Sequence, residues 1–68
     1  MRDDPFPGLG RTEMEKLIDE ARLGKTDRVI ARMRLLDREY YEDIGAEVGY
    51  DRRTVARRMD RIIQTLTR

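Results

Sequence analysis

Residues 41–59 have the sequence YEDIGAEVGYDRRTVARRM, which predicts a short helix, a turn marked by glycine and a second, arginine-rich helix. The small residue Gly45 would let the two helices approach closely, and Gly49 can adopt the positive φ that a tight turn requires. This layout is typical of a helix-turn-helix. The residues expected to form its corner are Ile44, Gly45, Val48, Gly49, Tyr50, Asp51, Val55 and Met59.

The second helix of this motif continues well beyond residue 59. Asp51 is well placed as its N-cap, with a carboxylate that can accept a hydrogen bond from the N–H of Arg53 or Thr54. An apolar stripe at spacings of three and four predicts a helix from Arg52 to Thr67. Because this helix is longer than groove reading requires, we expect its last apolar residues to lie in the core or in a dimer interface. Those residues are Ile62, Ile63 and Leu66.

Two further helices are predicted before the motif. Residues 1–11 contain two prolines and two glycines and predict a flexible N-terminal arm, in which Phe6 or Leu9 would pack on the first helix unless the arm is disordered through Gly10. Thr12 and Glu15 have capping-box spacing and predict a first helix over Glu13–Leu23, ended by Gly24 in a left-handed conformation. Thr26 or Asp27 would cap a second helix that ends near Leu36. The connection would be residues 37–39, or shorter if Asp37 caps the next helix.

Together these helices predict one all-α domain over residues 12–68, a small bundle of about four helices. The apolar stripe of the first helix, with Met14, Leu17, Ile18 and Ala21, most simply belongs to the core of this bundle. A binding face for a partner is the alternative.

The composition excludes several classes of function. The chain has no Cys, His or Ser, so we expect no disulfide, no metal site, no cofactor and no enzymatic activity. Adjacent acids such as Glu42 and Asp43 point about 100° apart on a helix and are unsuited to acid/base catalysis. No apolar run approaches the roughly 20 residues of a membrane span, and no signal peptide is visible. We therefore expect a cytoplasmic protein without a membrane partner.

The charge distribution indicates a nucleic-acid partner, although the net charge of the 68 residues is only +1. Residues 1–50 carry 9 basic and 12 acidic side chains, whereas residues 51–68 carry 6 arginines and 2 acids. Such a step in charge, placed on the second helix of the motif, is expected where a helix contacts phosphates. The alternative is an ordinary solvated helix face.

The predicted DNA contacts follow from side-chain chemistry. The guanidinium groups of Arg52, Arg53 and Arg57 can each bind guanine O6 and N7, and Ala56 is small enough to allow close approach to a base. Phosphate contacts are predicted for a second set of residues, which lie beside the reading positions or on other helices. This set is Arg38, Tyr41, Thr54, Arg58 and Arg61.

At residues 41–55 the sequence resembles region 4 of the sigma-70 family of bacterial transcription initiation factors, and it is similar to small phage and mobile-element regulators built on that module. The resemblance extends over about residues 26–66. It implies that Arg52, Arg53 and Arg57 read DNA and that the domain contacts RNA polymerase. Gly45 replaces the more usual alanine, and the core-binding and −10-reading regions have no counterpart, so we do not expect a complete initiation factor.

The sequence therefore predicts a small transcriptional regulator of phage or prophage origin that binds double-stranded DNA in a sequence-specific manner. A homodimer on a two-fold site, or docking to RNA polymerase beside a promoter, would supply affinity that a single module lacks. Two alternatives remain. One is the DNA-recognition domain of a phage packaging protein, and the other is a protein-interaction module that inhibits a nucleoprotein or RNA polymerase.

Overall fold

The structure, a computed structural model, describes Phe6 and residues 8–68, and within them it contains helices and no strand. The four helices are α1, Arg11–Glu20; α2, Lys25–Ala31; α3, Tyr41–Val48; and α4, Arg52–Leu66. A π-helical segment, Arg32–Leu36, continues α2 without a break in helical backbone geometry. The predicted all-α bundle of four helices is confirmed. Residues 1–5 and 7 of the predicted arm lie outside the described residues.

The start of α1 differs from the prediction by two residues. Gly10 is the N-cap, and its N–H donates to Glu13 Oε1 at 2.9 Å. The predicted capping box of Thr12 and Glu15 is therefore wrong, because the glutamate that reaches back must stand at the third helical position, and in a helix that begins at Arg11 this residue is Glu13. Glu15 instead forms an ion pair with Arg32 (Oε1 to a guanidinium nitrogen, 3.6 Å).

The prediction that Gly24 adopts a left-handed conformation at the end of the first helix is also wrong. Helix α1 ends at Glu20, and Ala21 follows in an extended conformation, so no left-handed residue is required there. Gly24 has φ −65° and serves as the N-cap of α2. Because α2 begins at Lys25, neither Thr26 nor Asp27 caps it, and the carboxylate of Asp27 is left to face α4.

The connection from α2 to α3 is closed by backbone bonds and arginine side chains. The Asp37 N–H donates to Arg32 O at 3.2 Å, which is the wider spacing of a π-helix. Arg38 adopts a left-handed φ of 56°. Arg11 donates to Leu36 O at 3.0 Å and thereby satisfies one carbonyl at the helix end. The predicted connection at residues 37–39 is confirmed, with Tyr40 rather than Asp37 as the N-cap of α3.

The core receives side chains from every helix, and none of the buried residues in the described part of the chain is polar or charged. Ile62 and Leu66 of α4 lie in this core and Ile63 packs against it, so the surplus length of α4 is used inside the domain. Phe6 also packs on the core, whereas Leu9 is 40% exposed. No helix within residues 8–68 is long and apolar enough to cross a membrane. The buried residues are Met14, Ile18, Ile30, Ala31, Leu36, Ile44, Val55, Met59, Ile62 and Leu66.

Candidate nucleic-acid interface

The turn between α3 and α4 has the conformation that its glycine predicts. Gly49 has φ +83°, in the left-handed region that a side chain with a Cβ rarely adopts. The N–H groups of Gly49 and Tyr50 both donate to Gly45 O, at 2.8 and 2.9 Å. These two hydrogen bonds close the last turn of α3, and the chain changes direction there to begin α4.

Gly45 is required for this turn, for a reason that helix spacing alone does not show. It is fully buried in α3, and a Cβ built on it would collide with the carbonyl oxygen of Tyr50. The close approach predicted at Gly45 is therefore made by the backbone that leaves the turn.

The start of α4 is held by Asp51. Its carboxylate accepts a hydrogen bond from the Thr54 N–H at 2.9 Å. This N–H is one of the two donors that the sequence predicted. Hydrogen bonding by the Thr54 side chain and backbone lowers the pKa of Asp51, and the charges of Arg57 and Arg53 lower it further. The positive end of the helix dipole also stabilises the charged carboxylate at this position.

Burial fixes how α4 is rotated about its axis. Val55, Met59 and Ile62 are almost completely buried, so the opposite side of the helix faces solvent. Arg53, Arg57 and Arg61 follow one another at intervals of four on that side, and Arg52 stands at the exposed N-terminus of the helix. We call the four exposed arginines Arg52, Arg53, Arg57 and Arg61 the arginine face.

The arginine face carries charge that the fold does not use. Within the described residues, none of its four guanidinium groups makes a hydrogen bond or an ion pair with another side chain. Other arginines of the chain are engaged: Arg11 and Arg32 form ion pairs, and Arg28 and Arg34 donate to backbone carbonyls. Four arginines without such a partner in the described residues therefore lie on the exposed part of one helix, where an anionic partner can reach them.

Arg58, a predicted phosphate contact, has a partner inside the protein. Its guanidinium binds Asp27 Oδ1 at 3.0 Å and lies over the ring of Tyr50, 5.2 Å from the centroid. The hydrogen bond to Asp27 and the charge of that carboxylate raise the pKa of Arg58. A phosphate would have to compete with Asp27 for this arginine, which ties α4 to α2.

The remaining predicted contacts do not all lie together. Thr54, Arg57, Arg58 and Arg61 line one shallow depression beside the arginine face. Ala56 is half-buried at the flank of α4, so it is less accessible than the arginines near it.

Two predicted phosphate contacts lie on other elements. Arg38 is exposed and lines a separate depression with Leu9, Arg11 and Leu36, away from α4. Tyr41 is half-buried at the start of α3, with the guanidinium of Arg34 4.3 Å from its ring centroid. The structure therefore groups the α4 residues and separates Arg38 from them.

Sequence reasoning missed the part that Asp27 plays in placing α4. Asp27 and Arg58 are 31 positions apart and share no local pattern, so only the packing of α2 on α4 brings them together. In the part of the chain that the structure describes, no group of three or more acidic side chains is placed to hold a metal ion.

The chain matches no protein-family model, no curated protein and no solved structure.

Proposed function

We propose that this protein binds duplex DNA in a sequence-specific manner and acts as a small, non-enzymatic transcriptional regulator in the cytoplasm. The observation that carries the proposal is the arginine face. Its four exposed guanidinium groups have no hydrogen-bond or ion-pair partner among the described residues, and the direction of their helix is set by a tight turn and a capped start. Arginine in this state is suited to both guanine edges and phosphates.

The dimensions of α4 suit the major groove. A helix with its side chains is about 10 to 12 Å across. The major groove is about 12 Å wide and admits such a helix. Arg61 stands eight positions after Arg53, about 12 Å farther along the helix axis. With Arg52, Arg53 and Arg57 at base edges, Arg61 would reach the phosphates at the rim of the groove.

The charge on α3 supports the same orientation. Glu42, Asp43 and Glu47 are exposed on α3, and they would repel a phosphate backbone that lay along this helix. DNA is therefore expected on the α4 side, with α3 held above the backbone as in helix-turn-helix complexes. The resemblance of residues 41–55 to region 4 of the sigma-70 family also supports DNA reading by α4.

A single module of this size offers limited contact area, so a second contribution to affinity is part of the proposal. A homodimer on a two-fold site or a contact with RNA polymerase would supply it. Origin in a phage or mobile element remains part of the same interpretation.

The test is selection of bound duplexes from a random pool at low salt, followed by affinity measurements at rising salt. We expect one enriched motif that contains guanine, single or two-fold, and a steep loss of affinity with salt. Enrichment of no sequence above the input pool would reject sequence-specific binding. If no duplex bound even at low salt, the protein-interaction module would become the better interpretation.

A further inference from the structure

A groove lies between the connection from α1 to α2 and the C-terminal half of α4. Its lining includes Arg22, Leu23, Asp27, Arg58, Arg61 and Thr65. We call it the Arg22–Arg61 groove. The sequence predicted phosphate contacts for Arg58 and Arg61, but it did not predict that Arg22 and the α1–α2 connection line the same groove.

The groove carries net positive charge because its one acid is already paired. Asp27 is bound by Arg58 at 3.0 Å, so these two charges offset each other. Arg22 and Arg61 are both exposed, and neither forms an ion pair with any residue from 8 to 68. The Thr65 hydroxyl donates to Arg61 O at 3.1 Å, so the two guanidinium groups are the available donors.

The groove is continuous with the arginine face. Arg58 and Arg61 line both the Arg22–Arg61 groove and the shallow depression that contains Thr54 and Arg57. Positive charge therefore extends from the reading end of α4, along the helix, to the connection between α1 and α2. A duplex in contact with the arginine face would have its backbone directed along this surface.

We propose that the Arg22–Arg61 groove binds phosphates of one DNA strand at the rim of the major groove that α4 enters. Two guanidinium groups that line one groove can hold phosphodiester oxygens without reading any base. This contact would set how deeply α4 enters the groove, and it recruits the α1–α2 connection as a DNA-binding element. The inference rests on the proposed function, since it requires a duplex on α4.

The first experiment measures duplex affinity by fluorescence anisotropy over a range of salt concentrations, with the duplex obtained by selection. Replacement of phosphate contacts lowers the slope of log affinity against log salt by about 0.9 for each phosphate lost. We expect Arg22→Ala and Arg61→Ala each to reduce the slope by about 0.9, with the selected sequence unchanged. Lys16→Ala is the matched control, because it removes one exposed charge from a different depression, lined by Leu9 and Glu13.

A second experiment locates the contact on the DNA. Duplexes carrying one neutral methylphosphonate linkage at successive positions are bound to the wild type and to Arg22→Ala. We expect one methylphosphonate position, outside the enriched bases, at which the neutral linkage weakens binding of the wild type. The same linkage should weaken binding of Arg22→Ala much less, because the neutral linkage and the substitution remove the same contact.

The outcomes separate the two proposals. If the wild type binds duplex and Arg22→Ala keeps the slope of Lys16→Ala, the groove proposal is overturned and the proposed function stands. If the wild type binds no duplex, or binds only RNA, both are overturned. Thermal melting of each variant shows whether its fold is retained, and exposure of all three side chains predicts that it is.

Discussion

The arginines of the first half of the chain and those of α4 have different uses, although the residue type is the same. In the first half Arg11 and Arg32 join α1 to the segment that follows α2. Arg28 and Arg34 donate to backbone carbonyls of the neighbouring connections, and Arg22 has no such partner among the described residues. In α4 only Arg58 has such a partner in the described structure. The contrast teaches that arginine content alone does not indicate a nucleic-acid surface. Arginines without an internal partner, gathered on one side of a helix, do so.

The largest effect is expected from the core that both halves share. Ile44 is completely buried in α3, and Ile44→Ala removes a side chain whose loss costs about 2 to 5 kcal/mol in protein cores. A domain of this size has little stability to spare, so the variant should be largely unfolded near room temperature. Circular dichroism melting measures this. Ile63→Ala, at a half-buried position of α4, is the control, and equal losses for both variants would contradict the described core.

The next test concerns the corner that directs α4. Gly45→Ala places a Cβ against the carbonyl oxygen of Tyr50 and should cost about 1 to 3 kcal/mol, because the backbone must move to accept it. Chemical denaturation measures the free energy of unfolding. Gly24→Ala is the matched control, since Gly24 has a negative φ and open space around it. We expect a smaller loss there, of up to about 1 kcal/mol, because alanine is a weaker N-cap than glycine. A Gly45→Ala variant as stable as wild type would remove the steric argument.

Direct removal of the reading groups sharpens the contrast between the halves. Arg53→Ala and Arg57→Ala should each weaken binding to the selected duplex by about 1 to 3 kcal/mol, or roughly 5- to 150-fold, and relax preference at one base pair. Arg32→Ala removes the same charge from the first half, where Arg32 binds Glu15 and Asp19, and should leave the affinity nearly unchanged. Equal losses for all three variants would mean that only overall charge matters.

The smallest effect concerns pH and the start of α4. Because folding lowers the pKa of Asp51, its contribution to stability is complete above the unfolded pKa of about 3.9 and is lost as the pH falls through the lower folded value. Asp51→Asn keeps a capping oxygen without the titration. Melting temperatures between pH 7 and pH 3 should therefore fall more for the wild type than for Asp51→Asn. Parallel curves would show that Asp51 titrates normally in the folded protein.

The motif was predictable because its signals are local. A glycine that needs positive φ, an acid before a helix and an apolar stripe of helical period all act within a few residues, and Gly49, Asp51 and Val55 are found as expected. The N-terminal caps were less predictable. Thr12 was predicted to start the first helix, but Gly10 is the N-cap of α1 and its N–H donates to Glu13.

Three features required the tertiary structure. The pairing of Asp27 with Arg58, the place of Arg22 beside Arg61, and the separation of Arg38 from α4 all depend on how helices distant in sequence pack together. Charge pattern could not distinguish an arginine that binds a neighbouring helix from one that faces solvent.

By itself, the sequence determined four helices, the corner between α3 and α4, and the concentration of arginine on the last helix, because these follow from local backbone preferences and from periodicity. The tertiary structure decided which arginines are engaged, since an ion pair depends on the distance between side chains in space. It also decided why residue 45 is glycine, because the carbonyl of Tyr50 occupies the space that a Cβ would need. The arginine face therefore consists of the exposed arginines of α4 other than Arg58, whose guanidinium is paired with Asp27.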